Sequence, residues 1–567
     1  MGRRDWQLQK TEAHSRKGMV IANDPAAANA GRKVLAEGGN AIDAAVATAL
    51  AIGVVEPMMS GIGGGGYLIY YEAKTNKVSV VNYSMQASQT AHENMYELDP
   101  DGGYSVGLFS WRNVVGNVNV QGPQSVALPG TPAGLSLALE NFGSGKFTWA
   151  QLLQPAIRLA EEGFYLSWYN MLRFLEDFDL LKRFPDTANV FLPKGRPPMA
   201  EQTGRPAEIF KQPALANTLK QMAQEGAEAF YKGDIARHLA AYVTAQGGAL
   251  TEKDLAEYQA EIEEPLAVPY GDHTLYTTGK ATGGTTLAQA IKTLALAGDT
   301  SGNLEDYQTW HKRIEALRLA FADRFLYLAD PAFVNVPLEE MFSQAYLSGR
   351  AAQIGAKALP YPAPAGQIGK SGNAYGPKGA DSTTHLVVID ENHNMVTITQ
   401  TLLALFGSGV CEPNTGVLLN NGMMWFDPEP GKANSVQPGK RPLSNMSPVL
   451  AAKNGKPFFA LGASGGRRII SAVAQVFLQL TEGGTSSAQD AVDAPRFDVS
   501  QPNLTTIEYR AGDKVLNELE GQGHKLQITE ESVLSGNYAK PMVALITEDG
   551  TIKGGSERWH SGYPAGV

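Results

Sequence analysis

Two runs of the sequence carry residues whose types and spacing could do chemistry on an amide. The first is Ser382-Thr383-Thr384-His385, which opens a Val/Ile/Thr-rich segment reaching Asp390. Cleavage of the Ser382–Thr383 peptide would leave Thr383 with a hydroxyl nucleophile and its own freed α-amine as base, an amine whose ordinary pKa of about 7.7 to 8.0 lies near neutral pH. In that processing step the Thr383 hydroxyl would attack the Ser382 carbonyl, giving an ester that water opens. The preceding residues, from Ala363 to Ala380, are rich in Gly, Pro and Ala without periodicity, so 361–382 reads as a flexible processing linker. The same residues also fit an ordinary loop entering an ordinary hairpin, since Thr is a good strand residue.

The second run is Gly462-Ala463-Ser464-Gly465-Gly466, between the apolar Phe458 to Leu461 and the helix-like Ile469 to Leu480. It fits G-x-S-x-G in the strand-turn-helix context of a nucleophile elbow. Asp498 and either His524 or His560 follow in an order that a Ser…Asp…His triad could use. A serine hydrolase built on Ser464 is therefore the rival chemistry.

The elements that must position these residues can be read from periodicity. The segments on either side of Glu391-Asn392-His393 predict a hairpin in which Asp390 faces Asn394 and, to within one residue, Thr383 faces Thr401. Asp24 to Ala51 predicts a helical hairpin, with Gly38-Gly39 as stop and Asn40 as restart. Helical spacing recurs at 146–162, 214–245, 288–297 and 304–327; Tyr67 to Tyr71, Lys77 to Tyr83, His273 to Tyr276 and Phe458 to Leu461 read as strands. The Gly61 to Gly66 run lacks the Gly-Lys-Ser/Thr of a phosphate loop, and its expected role is close backbone packing.

With 567 residues, 43% of them hydrophobic and 18% charged, the chain can bury a large core. Its net charge of -10 argues against nucleic acid or an anionic membrane as partner. The single cysteine, Cys411, excludes an intrachain disulfide and reads as a buried apolar residue. No Cys/His cluster has zinc-ligand spacing, so no metal is expected. Gly2 to Lys10 leads into polar sequence and the longest apolar run, Ala44 to Val55, is too short to span a bilayer; a cytoplasmic location is the expectation.

The Thr383-Thr384-His385 start resembles that of the small subunit of the gamma-glutamyltransferase (glutathione hydrolase) family. The resemblance continues, in order, through Gly38-Gly39-Asn40-Ala41-Ile42-Asp43, Val54-Val55-Glu56-Pro57, Ser60 to Gly66, Pro129 to Gly134, Glu315 to Arg324, Leu418 to Asn421, Lys440 to Ser444 and Gly465-Gly466. It implies an α+β, four-layer αββα sandwich, a large subunit of residues 1–382 and a small catalytic subunit of 383–567, held together after self-cleavage. It implies Thr383 as nucleophile, Thr401 as the hydroxyl bonded to it, Gly465 and Gly466 as oxyanion-hole residues, Ser444 as a contact of the substrate carboxylate, and no organic cofactor. The bland alternatives are a strand Thr at 401, a tight turn at 465–466 and a turn Ser at 444.

Where the family clamps the glutamyl group, this sequence departs from it. The Arg after an early-strand Tyr is Ser84; Leu403, Gly422, Trp425 and Asn445 replace an Asn, a Gln or Glu, an Asp and a Ser. Losing both charged partners should weaken a gamma-glutamyl ligand by several kcal/mol. The expectation is an altered acyl pocket with Trp425, Leu403, Ser444 and Asn445 around it. In it Arg467 is either a substitute anion partner or a solvent-facing helix residue. The predicted activity is amide hydrolysis or acyl transfer on a small-molecule amide carrying a gamma-glutamyl or other small acidic acyl group. The alternative is an oxamate amidohydrolase-like or cephalosporin acylase-like substrate. An uncleaved binding relative is the remaining class, and a homo-oligomer is compatible with such a chain.

Overall fold

The computed structural model describes residues 8–103, 111–298, 302–368, 382–533 and 535–567. The core of the predicted linker, residues 369–381, and the N-terminal residues 1–7 lie outside them.

Strict alternation along the strands builds two antiparallel sheets of seven. One runs, in spatial order, Tyr563–Gly566, Gly18–Ala22, Ser382–Asp390, Met395–Leu403, Gly65–Glu72, Lys77–Tyr83 and Glu261–Glu263. The other runs Ala13–Ser15, Ile552–Ser556, Lys540–Ile546, Lys456–Ser464, Val449–Lys453, His273–Thr277 and Leu266–Tyr270. Val387, Ile389 and Tyr67 of the first sheet meet Leu450, Ala460 and Met542 of the second in a core between the sheets. The intervening residues Leu386, Val388 and Ile398 turn outward onto helices Pro25–Ala36, Ala41–Val55 and Trp149–Glu162. Leu461, Phe459 and Val543 turn outward onto Gly283–Leu296, Tyr307–Tyr327 and Arg468–Thr481. The result is the expected four-layer αββα sandwich. Both sheets take strands from either side of residue 382.

The helical hairpin forms as its punctuation predicts. Asn40 caps Ala41–Val55 in a reciprocal capping box with Asp43. The helical reading of 214–245 holds as two helices, Pro213–Glu225 and Asp234–Ala245; between them Gly226 and Gly233 adopt φ of 91° and 86°. The Gly61 to Gly66 run packs backbone on backbone: a Cβ on Gly64 would stand 2.3 Å from the Thr401 carbonyl oxygen, and one on Gly66 2.5 Å from that of Thr399. Cys411 is buried, its thiol pushed up by burial. No helix of the described residues is long and apolar enough to cross a membrane.

Candidate active site

The hairpin Ser382–Asp390/Met395–Leu403 has the predicted register: Ile389 faces Met395 and Thr384 faces Gln400. Period-2 patterning and a tight turn leave no other pairing that keeps Val387 and Ile389 on the inter-sheet face. The last step is irregular. Between Thr384 and Ser382 the pairing shifts so that Ser382 faces Leu403, and Leu403 adopts φ of 92°, a conformation that a branched side chain rarely takes.

At this bulge two hydroxyls converge on one carbonyl. Thr401 Oγ1 donates to the Ser382 carbonyl oxygen at 2.6 Å, and Thr383 Oγ1 lies 2.7 Å from the same oxygen and 3.4 Å from Thr401 Oγ1. The Leu403 amide donates to Thr401 Oγ1 at 2.7 Å, which leaves that hydroxyl's proton for the carbonyl. Thr383 is 4% exposed and Thr401 fully buried. A peptide carbonyl polarised by one hydroxyl, with a second beside it, suits an N-to-O acyl shift.

Two residues on, His385 donates nothing to this chemistry. Its Nδ1 bonds Thr399 Oγ1 at 2.9 Å, its Nε2 bonds Thr397 Oγ1 at 3.1 Å, and burial holds it neutral with a pKa near 3. Gly462 is the floor under its ring, since a Cβ there would meet the ring at 2.1 Å.

That floor fixes where the glycine turn goes. Thr397 Oγ1 donates to Leu461 O, and Gly462 lies under His385, which pairs with Thr399. A step forward along Lys456–Ser464 is thus a step toward Thr401, and Gly465-Gly466 leave the sheet at the end of the hairpin that carries Thr383. Gly465 has φ of 130° and Gly466 of 59°, and helix Arg468–Thr481 starts immediately after, with its N-terminal amides toward the turn.

The elbow at Ser464 is real as a strand-turn-helix, but its triad is not assembled. Asp498 accepts from Ser500, His524 bonds His311 and Tyr361, and His560 stacks on Tyr169 with ring centroids 4.2 Å apart. No hydrogen bond joins any of the three to Ser464 among the described residues, and the His560 ring nitrogens are unpaired; the order of residues along a chain says nothing of where their side chains meet.

The candidate binding residues gather around a helix residue that sequence reasoning quoted only within a motif. Arg324, fully buried on Tyr307–Tyr327, donates to Ser444 O at 2.7 Å, Asn445 Oδ1 at 2.8 Å and Thr282 O at 2.9 Å. Burial, with Arg467 nearby, lowers its pKa to about 9. Arg467 is 4% exposed, so the solvent-facing reading is corrected: the turn tucks it inward beside Arg324. Ser444 Oγ accepts from the Met446 amide at 3.2 Å, while Asn445 Nδ2 and Trp425 Nε1 are buried without a hydrogen-bond partner among the described residues. Trp425 and Leu403 belong to one apolar cluster with Met85, Leu443 and Met446. A surface cleft lined by Tyr70, Lys74, Asn392 and Asn394 opens at the turn end of the hairpin and touches none of these residues.

One group of potential metal ligands exists among the described residues: His311, Glu315 and His524. Spacing could not announce it, since His524 is remote in sequence. Most of its donor atoms are engaged: His311 Nδ1 bonds His524 Nε2 at 2.8 Å and Glu315 Oε1 holds Arg318 at 2.7 Å, with Glu315 Oε2 unpaired among the described residues. A cation would sit beside the Arg318 guanidinium, and the donor set does not favour one.

Comparison with known proteins agrees with the fold. The chain is 35% identical over 560 residues to the glutathione hydrolase proenzyme of Bacillus subtilis (strain 168), covering 97% of this chain and 91% of that protein. It is 36% identical over 567 residues to the acylase ACY 1 proenzyme of Pseudomonas sp. (strain V22), covering 99% and 96%. The crystal structure of cephalosporin acylase from Bacillus halodurans superposes with a TM-score of 0.86 at 28% identity, covering 100% of this chain and 98% of that one. The sequence profile of the family described as Gamma-glutamyltranspeptidase matches residues 27–567, and the chain belongs to that family.

Proposed function

We propose that the chain is a self-processing threonine hydrolase that cuts itself between Ser382 and Thr383 and then turns over an amide through an acyl-enzyme on Thr383. The observation that carries this is the pair of hydroxyls, Thr383 and Thr401, on the Ser382 carbonyl. In processing, Thr383 Oγ1 bonds the Ser382 carbonyl carbon as the Ser382–Thr383 C–N bond breaks, and water opens the resulting ester. The freed amine then takes the proton from Thr383 Oγ1 during attack on substrate and delivers it to the leaving amine. Gly465-Gly466 face the oxyanion. Water completes hydrolysis and an amine completes transfer. Residues 1–382 and 383–567 are the two subunits, and the compartment we favour is the cytoplasm.

For the acyl group, the relatives named glutathione hydrolase and acylase frame two readings. Ser84, Leu403 and Trp425 stand where the family's charged and polar clamp would be, the last two in an apolar cluster, which supports a small acidic acyl group held by its carboxylate rather than by its ammonium. Ser444, Asn445 and Arg467 are the residues that would meet it. Comparing gamma-glutamyl, glutaryl and butyryl anilides tests this: glutaryl should match or exceed gamma-glutamyl in kcat/KM, with butyryl lowest. A strong preference for gamma-glutamyl would restore the glutathione hydrolase reading, and a preference for butyryl would remove the carboxylate requirement. If Arg467→Ala left kcat/KM unchanged for every acidic substrate, Arg467 would not be the anion partner.

A further inference from the structure

Residues Glu56 to Ser60 join helix Ala41–Val55 to strand Gly65–Glu72 and pass behind the start of the central hairpin. Met58 O accepts from Ser382 Oγ at 3.0 Å and from the Phe406 amide at 3.0 Å, and Met59 O accepts from the Leu402 amide at 3.0 Å. Glu56 Oε2 accepts from Thr384 Oγ1 at 2.7 Å and from Asn23 Nδ2 at 3.3 Å, while Asn23 Nδ2 also reaches Thr384 Oγ1 at 3.1 Å. The connector therefore ties Ser382, Thr384 and Leu402, the residues flanking Thr383 and Thr401. The two reacting hydroxyls stand on the opposite face.

We propose that Glu56 is a positioning residue for the Thr383 reaction: by accepting the Thr384 hydroxyl it fixes the bulged main chain at Ser382–Thr384 and so the aim of Thr383 Oγ1 at the carbonyl. This rests on Thr383 being the nucleophile. Alternation puts the Thr384 side chain on the helix-facing side of the strand, where Glu56 reaches it. Anchoring the residue next to the nucleophile from behind leaves the reacting face free, and a misplacement of about 1 Å at such a site lowers a rate by roughly a hundredfold.

Glu56 is fully buried, and burial raises its carboxyl to about 8, with Asp24 pushing the same way and the Thr384 and Asn23 hydrogen bonds opposing. Titratable groups on this side include Tyr169, on helix Trp168–Glu176, with His560 tilted against its ring and Arg173 5.1 Å from the ring centroid and paired with Glu176 at 2.7 Å. Burial, Lys10, Lys540 and Arg173 hold His560 neutral. Among these described groups none is a cation paired with Glu56, so the neutral acid predominates below about pH 8, and in either form its oxygen accepts the Thr384 hydroxyl. The uncut chain carries an amide at Thr383, so its self-cleavage is free of the amine that titrates in the mature enzyme.

The test follows self-cleavage of the full chain made by cell-free synthesis, on a gel time course at several pH values, and then kcat and KM of the mature protein. Glu56→Ala and the near-isosteric Thr384→Val should each slow self-cleavage and lower kcat by about 10- to 100-fold with KM unchanged. The double variant should be no slower than the worse single, because both remove one contact. Glu56→Gln, which still accepts from Thr384, should remain within about threefold of the wild type. If Glu56→Ala does not fold, Thr384→Val alone decides. Wild-type rates in Thr384→Val, or a lower melting temperature with unchanged rates, or a Glu56→Gln variant as slow as Glu56→Ala, would each overturn the proposal. A wild-type chain that stays uncut overturns the nucleophile assignment itself, whereas a cut wild type with unaffected variants overturns only the role of Glu56.

Discussion

The Thr383 end of the central hairpin and the cluster around His524 are both buried and polar, and both are built from residues on either side of position 382. Composition alone would put the chemistry at His524, where two histidines, a glutamate and an arginine meet, and not at a group of threonines. Partners decide otherwise. His311 Nε2 bonds Gly355 O at 2.8 Å, His524 bonds His311 and Tyr361, and Arg318 stacks 3.5 Å from the Tyr361 ring centroid while donating to Leu359 O and Pro360 O. Burial lowers His524 to about 3 and raises Glu315 to about 7. These shifted groups act as a clasp, holding the segment 355–362 against the C-terminal third of the chain. At the hairpin the proposed chemistry asks no shifted pKa of either hydroxyl, since the base would be the amine freed when the peptide opens. Perturbed titration marks burial, and reactivity is marked by an aimed donor and a strained backbone.

That contrast can be broken by substitution at either end. The largest effect belongs to Thr383→Ala: one full-length band on a denaturing gel where the wild type gives two, and turnover lower by on the order of a thousandfold or more. A two-band pattern in this variant would move the nucleophile elsewhere. Thr401→Val keeps shape and removes the donor to Ser382 O, so self-cleavage should slow by about 10²- to 10³-fold, read from the same gels. Gly465→Ala places a Cβ 2.8 Å from Ala539 Cα at φ of 130°; the turn must shift, with a loss of about 1–3 kcal/mol in a denaturant melt and a lower kcat. The smallest effect on catalysis is expected at the clasp. His524→Leu should leave kcat unchanged while lowering stability by about 1–3 kcal/mol, and a large fall in kcat there would erase the distinction.

The clasp also has a pH signature. Glu315 carries a folded pKa of about 7 against an ordinary 4.5. Its contribution to stability is therefore fully present below about 4.5 and is lost as pH rises through about 7. Glu315→Gln should flatten the wild-type decline in melting temperature across that window; an unchanged decline would assign it to other groups.

The hairpin register was legible because its cause is local: a tight turn and a two-residue period allow one pairing with the apolar side inward. The bulge at Ser382 was not, because its cause is the grip of Met58, Met59 and Glu56, more than 320 residues earlier in the chain. Thr383, Thr401 and Gly465-Gly466 were singled out through the family resemblance, and the strand pairing sets them toward one end of the sheets. Arg324 was visible only as one residue of a helical motif, since its clamp on Ser444 and Asn445 comes from packing. The Ser464 elbow shows the converse error, in which a correct local geometry suggested partners that the tertiary structure sends elsewhere.

The alternation of strands from both sides of residue 382 within each sheet bears on the life of the mature protein. Opening the chain at that peptide, as proposed, would delete the covalent link that brought Gly18–Ala22 and Ser382–Asp390 together as neighbours while leaving the pairing of Val387 to Asp390 with Gly18 to Ile21 intact. Folding is then a history rather than an equilibrium: two separated pieces would have to find each other and interleave two seven-stranded sheets, a bimolecular search that the intact chain never faced. Such a molecule works as a ratchet, its persistence governed by the barrier to coming apart and not by how readily it would form again.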